Sequence, residues 1–573
     1  MTDPQTDCRA QDAALDAAVV RMTGPGGPFP LGTIDRHGAT VPYVTAVPST
    51  LPGFYAAFCA LYAERTFLVD GDERLTFAQA LDAARMVAQG LIARHGVGPG
   101  DRVALAARNG TAWVLAYMGI TLAGGVAVLC NAFCGAAELV PAIEDTGCTL
   151  VLADGPRHTG LLNHGWSAEG TPRLLPIDDG TWAAALAAVL PADPVATVDL
   201  PDLAPTDPAT ILFTSGSTGR SKGALSDHMG KVQGALSYGG ASLCIADMLT
   251  QAGRPPSDTP VTLMNVPLFH VTGEVAVFLH SFVIGRTLVM MPKWDALRAL
   301  ELIEAEKVTY FVGVPLMGHE IASHPDRGRF DLSTLTDLAA GGAPRPVDQI
   351  ATIRDNLVGT HPLLGYGLTE TNAVGALNFR ASYLAKPTST GRATKPLVEI
   401  AIVDAAGETL PTGQTGEIAI RSVANIVGYW NRPEDTAALF TPGGYARTGD
   451  MGYLDEDGYV FIVDRLKDII IRGGENIAAF EVEAALYGHP MVAECAVIGI
   501  SHARYGEVPA AIIYARADVV ADEDELRAFL RARLAPFKLP ERIWWVDAPL
   551  PRLGTQKIDK PGLRKIYGAG EGV

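Results

Sequence analysis

Apolar and polar positions along this chain follow two periods that alternate. Behind Thr76, which can cap a first turn, Phe77, Leu81, Ala84, Val87 and Leu91 recur at helical spacing, and the stretch stops at His95-Gly96. A continuous apolar run at 103–106 reads as a buried strand, 113–122 as a second helix and 126–129 as a second strand. Helix 136–144 and strand 149–153 repeat the unit. After a passage rich in Pro and Asp at 191–208 the alternation resumes with strands at 211–213, 261–266 and 308–312 and a helix near 297–306. Short strands separated by helices predict parallel sheets covered on both faces. Residues 1–50 carry little pattern and much Gly and Pro, which predicts an irregular arm.

Beyond Gly391 the helices drop out. Short strands at 400–403, 416–420 and 459–463 stand between Gly- and Asp-rich turns, predicting a small β-barrel-like subdomain over about 391–465. The chain turns charged at Asp464-Arg465-Leu466-Lys467 and continues as an α+β tail: helix 480–486, strands 494–500 and 510–515, and helix 523–534 with Asp522 as its cap. The expected fold class is therefore α/β, with a large N-terminal domain at 1–465 and a small α+β domain at 466–573.

Composition narrows the function classes. The 573 residues are 48% hydrophobic and carry a formal net charge of −18, a poor match for nucleic acid or an anionic membrane. Seven scattered cysteines include no CxxC pair, and no signal-like core opens the chain. The longest apolar run, near 275–284, is too short to span a bilayer. These features predict a soluble cytoplasmic protein; they leave the oligomeric state unread, a homodimer being admissible.

The candidate chemistry begins at Thr214-Ser215-Gly216-Ser217-Thr218-Gly219-Arg220-Ser221-Lys222-Gly223, directly after the apolar strand at 211–213. Glycines let backbone N–H groups approach an anion, and the hydroxyls and cations add donors and charge. Alone, such a loop is more often a surface connector; the hydroxyl density and the adjoining strand favour a triphosphate. Four further segments follow: Gly341-Gly342-Ala343-Pro344, Tyr366-Gly367-Leu368-Thr369-Glu370, Arg447-Thr448-Gly449-Asp450, and Asp464–Lys467 leading into Gly473-Gly474-Glu475-Asn476-Ile477. Lys557 follows in the tail. Singly, Asp450 reads as a turn residue, Glu370 as a helix-start carboxylate and Lys557 as a solvated lysine.

In this order the segments resemble the adenylate-forming superfamily of acyl- and aryl-CoA synthetases, peptide-synthetase adenylation domains and beetle luciferases, over about residues 50–565. The resemblance implies that Thr214, Ser215, Gly216, Ser217, Thr218, Gly219 and Lys222 hold the ATP phosphates, that Gly342, Ala343 and Pro344 line the adenine, and that Tyr366 stacks on it beside Gly367. Thr369 would touch the α-phosphate, Glu370 would bind Mg²⁺, and Asp450 and Arg465 would hold the ribose. Lys467 matches the hinge, and Lys557 would bridge carboxylate and phosphate during adenylation. The family usually carries glycine before that lysine; Gln556 stands here. Carboxylate attack on the α-phosphorus joins two anions, so positive charge and alignment are needed rather than a base.

Pro267-Leu268-Phe269-His270-Val271 resembles the CoA-ligase branch, in which His270 borders the acyl pocket; Gly473, Gly474 and Glu475 match its pantetheine path. By family position the pocket is lined by His270, Val271, Gly273, Val314, Met317, Gly318, Gly341, Gly367 and Leu368, apolar or small residues that offer no cation to a second carboxylate. The implied activity is ATP- and Mg²⁺-dependent formation of an acyl-AMP from a hydrophobic monocarboxylic acid (fatty, aromatic or alicyclic), followed by transfer to CoA. The alternatives are a ligase delivering to a carrier protein, a luciferase-like oxygenase, and a binding protein without turnover.

Overall fold

The computed structural model describes residues 4–170, 172–192, 198–214, 221–341, 345, 347–473, 475–516, 519, 521–552 and 558–568. The chain divides into two compact units, one built from Met1–Gly216, Arg220–Ile400 and Ile420–Ala446, the other from Ala401–Ala419 and Arg447–Val573. The expected boundary at 465/466 falls inside the second unit, which also takes in the strands before it.

The first unit contains a seven-stranded sheet ordered Gly428–Tyr429, Gly223–Asp227, Pro208–Phe213, Val126–Leu129, Arg102–Ala106, Leu150–Asp154, Arg173–Ile177. From Pro208–Phe213 to Arg173–Ile177 the strands are parallel, and the two at the other edge are antiparallel. The helix Phe77–His95 starts in a reciprocal capping box between Thr76 and Gln79 and ends at left-handed Gly96, as the pattern predicts.

A second sheet of this unit runs Gly375–Phe379, His361–Gly367, Asp337–Ala340, Tyr310–Gly313, Val261–Met264, Thr287–Met290, Thr66–Asp70. Its strands are parallel from His361–Gly367 to Thr66–Asp70. Because side chains alternate across a strand, Phe311 and Leu338 pack on one face with Ile321 and Ala322, while Val312 and Ala339 join the opposite core with Val275, Phe278 and Val232. That second face is covered by the helix His228–Gln251 and by Thr272–Leu279, which is wound as a π-helix and continues into the α-helix His280–Ile284. The apolar run near 275–284 is thus a buried core element. No described helix is long and apolar enough to cross a membrane.

The irregular arm expected at 1–50 is instead a helix, Pro4–Thr23, and a hairpin of Leu31–Arg36 with Ala39–Val44. The helix is Ala-rich but only weakly two-sided, and docking holds it. Gln11 donates to Phe379 O and Ser382 Oγ at 3.1 Å and accepts from Ala381 N, while Arg21 pairs with Asp247 at 2.5 Å. The hairpin is anchored by Arg36, paired with buried Asp227 at 2.8 Å.

The second unit contains the antiparallel pair Ala446–Leu454 and Tyr459–Arg465, and a five-stranded sheet in which Gly506–Ala515 lies between Val492–His502 and the parallel strand Arg542–Val546. Helices Ala479–Tyr487, Glu523–Arg531 and Lys560–Tyr567 belong to the same unit; Asp522 caps the second through Glu525 N.

Candidate active site

The phosphate-loop candidate is a hairpin whose stem is defined. Thr214 N donates to Lys222 O at 2.9 Å, and Pro208–Phe213 pairs antiparallel with Gly223–Asp227. Ser215, Gly216, Ser217, Thr218 and Gly219 lie outside the described residues. Lys222 Nζ pairs with Asp435 at 2.5 Å and stands 5.0 Å from the centroid of the Tyr429 ring. The Tyr429 hydroxyl donates to Glu370 Oε1 at 2.7 Å. Burial, and then the Glu370 carboxylate, push that phenol upward, so it stays a neutral donor. Tyr429 thereby joins the loop lysine to the carboxylate expected at the metal.

Glu370 sits where the strand His361–Gly367 runs out into the 3₁₀ turn Thr369–Thr371. A Cβ on Gly367 would lie 2.0 Å from Ala373 O, so only glycine permits this approach. The turn is pinned from several sides. Thr371 Oγ1 donates to Val374 O at 2.6 Å and accepts from Leu368 N, and Ile426 N donates to Glu370 O at 3.0 Å. Asn372 and Ala373 take positive φ of 49° and 67°. Asn372 is held by Ala424 O and Ser226 Oγ, and Ala373 O accepts from the Tyr238 hydroxyl at 2.6 Å. Strain of this kind persists only where the surroundings over-determine it, and here it fixes the directions of Thr369 and Glu370. Tyr366 and Leu368 pack with Tyr238 and Val374. On the neighbouring strand Gly341 N donates to Gly313 O at 3.2 Å; Gly342, Ala343 and Pro344 lie outside the described residues.

His270 is half-buried at the start of the π-helix, accepting from Thr272 N at Nδ1 (3.3 Å) and from Glu274 N at its carbonyl (2.9 Å). A Cβ on Gly273 would meet Pro267 O at 2.1 Å, so Gly273 serves close backbone packing beside buried Val271. Behind them Glu274 is fully buried and pairs with fully buried Lys231 at 2.7 Å; Tyr117 donates to its other oxygen at 2.8 Å. Val314 caps the helix Pro315–Ser323, and Met317 Sδ accepts from Asn265. Gly318, expected along the pocket, packs against the sheet. Its Cβ would stand 2.5 Å from Leu338, on the sheet face away from the π-helix, so its missing side chain serves helix–sheet packing.

In the second unit Asp450 and Arg465 are register partners, with Arg465 Nε 3.3 Å from Asp450 Oδ1. Asp450 is 5% exposed, and the turn before it is fixed by Glu417, which binds Arg447 at 2.6 Å and Gly449 N at 2.9 Å. Lys467 is exposed, flanked by anchored carboxylates. Asp464 accepts from Phe480 N, and Asp468 pairs with Arg564 at 2.7 Å. Nearby, part-buried Glu483 pairs with Lys560 at 2.7 Å. Gly473 has φ +59° and donates to Tyr505 O; Glu475 is exposed. Gly474, Gln556 and Lys557 lie outside the described residues.

No group of three or more His, Cys, Asp or Glu fit to hold a metal occurs among the described residues. One oriented carboxylate, Glu370, suits a hard cation that takes its remaining ligands from phosphate and water. Sequence reasoning missed Tyr429, Asp435, Glu417 and the Lys231–Glu274 pair. Gly428-Tyr429 before Pro433-Glu434-Asp435 was the one local signal available, a tyrosine entering a helix start rich in acid.

Comparison with known proteins agrees along the length of the chain. Residues 55–430 match the family model described as AMP-binding enzyme, and residues 481–557 the model of the AMP-binding enzyme C-terminal domain. A feruloyl-CoA synthase of Amycolatopsis sp is 36% identical over 498 residues, covering 87% of this chain and 95% of the relative. A 3-[(3aS,4S,7aS)-7a-methyl-1,5-dioxo-octahydro-1H-inden-4-yl]propanoyl:CoA ligase of Rhodococcus jostii (strain RHA1) is 34% identical over 539 residues, covering 91% and 99%. The solved o-succinylbenzoate CoA synthetase of Bacillus subtilis, in complex with its acyl-adenylate intermediate, superposes with a TM-score of 0.76 at 26% identity, covering 89% of this chain and 97% of that one.

Proposed function

The chain belongs to the family of AMP-binding enzymes, and from that premise we propose that it is an ATP-dependent acyl-CoA synthetase for a hydrophobic monocarboxylic acid. The observation that carries the reading is the full-length likeness to acid–CoA ligases, one acting on an aromatic acid and one on an alicyclic acid. The site adds a rigidly held Glu370, linked through Tyr429 to Lys222.

A carboxylate oxygen of the acid attacks the α-phosphorus, forming the mixed anhydride as the bond to pyrophosphate breaks. The CoA sulfur, as thiolate, then attacks the acyl carbon, and the bond to AMP breaks. Thr369 would orient the α-phosphate, Glu370 would hold Mg²⁺, Asp450 would accept from the ribose hydroxyls, and Lys557 would hold carboxylate and phosphate together. Mg²⁺ supplies neutralisation of the departing pyrophosphate. Residues 1–465 form the adenylating part and 466–573 a part that turns about Lys467 to bring Gly473 and Gly474 to CoA. Seven free cysteines suit the cytoplasm, where ATP and CoA meet.

Pyrophosphate release from ATP and Mg²⁺, measured over a panel of carboxylic acids with and without CoA, tests the proposal. Acid-dependent release that turns over many times only with CoA is expected. Release of about one equivalent that CoA cannot accelerate points to a carrier-protein acceptor instead, and no release with any acid removes the proposal.

A further inference from the structure

The strands that deliver Gly341 and Tyr366 at their carboxyl ends carry different chemistry at their other ends. Val312, Ala339 and Leu363 stand side by side across the sheet, and one step further in stand Tyr310, Asp337 and His361. Both rows share the face covered by the π-helix and the helix His228–Gln251. From Gly341 to the inner row is four residues, about 13 Å at ~3.3 Å per residue. Burial pushes the Tyr310 phenol up to about 12 and Tyr238 higher still, yet both rings keep accessible surface, as do Ser242, Ala276 and Leu363. These residues lie between the sheet and its covering helices without being fully buried, and the acyl space of the proposed function is assigned to that layer.

The inner end of that space is polar. Arg286, 2% exposed, donates from Nε to Ser281 Oγ (3.0 Å) and from Nη2 to Val277 O (3.1 Å) and lies 3.3 Å from His280 Nδ1, with its guanidinium 5.1 Å from the centre of the Tyr310 ring. Among the described residues no carboxylate pairs with it, and neither its Nη1 nor the Tyr310 hydroxyl makes a hydrogen bond. Burial lowers Arg286 to about 10, which leaves it charged at neutral pH. Burial and the neighbouring arginine hold His280 far below the usual imidazole range, so it is neutral, with Nε2 3.0 Å from Ser242 Oγ. Buried cations are normally paired, and one left with free donors beside an internal space calls for an acceptor from outside the chain.

We propose that Arg286, Tyr310 and Ser242 form a specificity subsite at the inner end of the acyl chamber, selecting acids that carry a neutral oxygen, a hydroxyl or a ketone, about 13 Å from the carboxylate. The inference rests on the proposed function, in which the acyl group enters along this sheet face. A second carboxylate fits less well. Asp337 adjoins Tyr310 in the inner row, held to Arg380 at 3.1 Å, and Arg286 has only one nitrogen left, too few for a bidentate grip. The expectation of a pocket without cations came from residues near the mouth; Arg286 lies in no motif.

The test compares kcat/KM for 10-hydroxydecanoic, decanoic and decanedioic acids in pyrophosphate release with CoA, for the wild type and for Tyr310→Phe and Arg286→Met. The ten-carbon chain reaches about as far as the inner row. The hydroxy acid should exceed decanoic acid by at least about tenfold, because a site built to hydrogen-bond leaves its own buried donors unpaired with the plain acid. Both variants should bring that ratio towards one. The ratio is taken within one preparation, so partial misfolding cancels. Equal use of hydroxy and plain acids, a preference unchanged in both variants, or decanedioic acid as the best substrate overturns the subsite. Release without discrimination, or release with other acids of the wider panel but none of these three, removes this inference alone; no release with any acid of the wider panel removes the proposed function and this inference with it.

Discussion

Replacing Glu274 by glutamine tests what holds the π-helix behind His270. The substitution keeps the shape and the bond from Tyr117, but it leaves the Lys231 ammonium fully buried without its counter-charge at 2.7 Å. Breaking a buried pair from one side costs about 3–5 kcal/mol. Lysine can escape by losing its proton, which from 10.5 down to pH 7 costs about 5 kcal/mol at ~1.4 kcal/mol per unit, so the same range is also the ceiling. Burial already pulls Lys231 below its ordinary value, which places the loss towards the lower end of that range. Trp113 stacks on Tyr117 with ring centroids 5.4 Å apart, so its fluorescence in urea reports this core directly. The midpoint should fall by the equivalent of about 3 kcal/mol in Glu274→Gln and return most of the way in Lys231→Met/Glu274→Met, which buries no charge. A loss under about 1 kcal/mol, or a double variant weaker than the single one, would refute the reasoning.

His228 is fully buried, accepts from Leu51 N, and is held near 4 by burial, so the folded chain stays unprotonated there while the unfolded chain binds a proton below about 6.5. Stability should therefore fall with decreasing pH through that window, by about 2 kcal/mol at pH 5, and His228→Asn should flatten the urea midpoint against pH; an unchanged slope would contradict it. Tyr429→Phe removes the bond that orients Glu370 and should raise the Mg²⁺ concentration for half-maximal pyrophosphate release about fivefold, the effect of about 1 kcal/mol; no change would remove Tyr429 from the site. Lys557→Ala should slow acyl-AMP formation by about 10²–10³ and spare thioester formation from supplied acyl-AMP. Equal losses in both half-reactions would contradict a turn about Lys467.

What the sequence made legible was local. The cap at Thr76, the cap at Asp522 and the alternation of strand and helix depend on neighbours within a turn or two, and all stand in the structure. Glu370 could be placed at a strand end, but not its donor, because Tyr429 is 59 residues away and arrives on an edge strand paired with Gly223–Asp227. The helix Pro4–Thr23 was missed because docking, not periodicity, holds it. The π-helix was missed because an apolar run of that length carries no period of its own. The packing of Gly318 on Leu338 was not legible, because sequence position says nothing about which sheet face a helix covers. Arg286 was invisible for the plainest reason: in sequence it is one arginine after a glycine, and only the fold buries it.

The charges that surround the described part of the phosphate site bear on the metal. Lys222 is the loop's described cation, but Asp435 lies 2.5 Å from it, both groups about one-third exposed, so the pair is close to neutral towards a ligand. Glu370 then adds a negative charge at Tyr429, and the chain as a whole carries −18. A triphosphate approaching these groups meets net repulsion, which at partly exposed sites amounts to a few kcal/mol per close pair. The proposed reaction brings a further carboxylate to the same place. Backbone amides of a glycine-rich loop soften this field but cannot reverse it, since they carry only partial charges. A divalent cation, which Glu370 would help to hold, would supply the opposing charge. In this reading a bound metal would favour ATP binding as well as aid the departing pyrophosphate. The hydrogen bond from Tyr429 then has a definite task, to hold one oxygen of Glu370 so that the other is aimed before the nucleotide arrives.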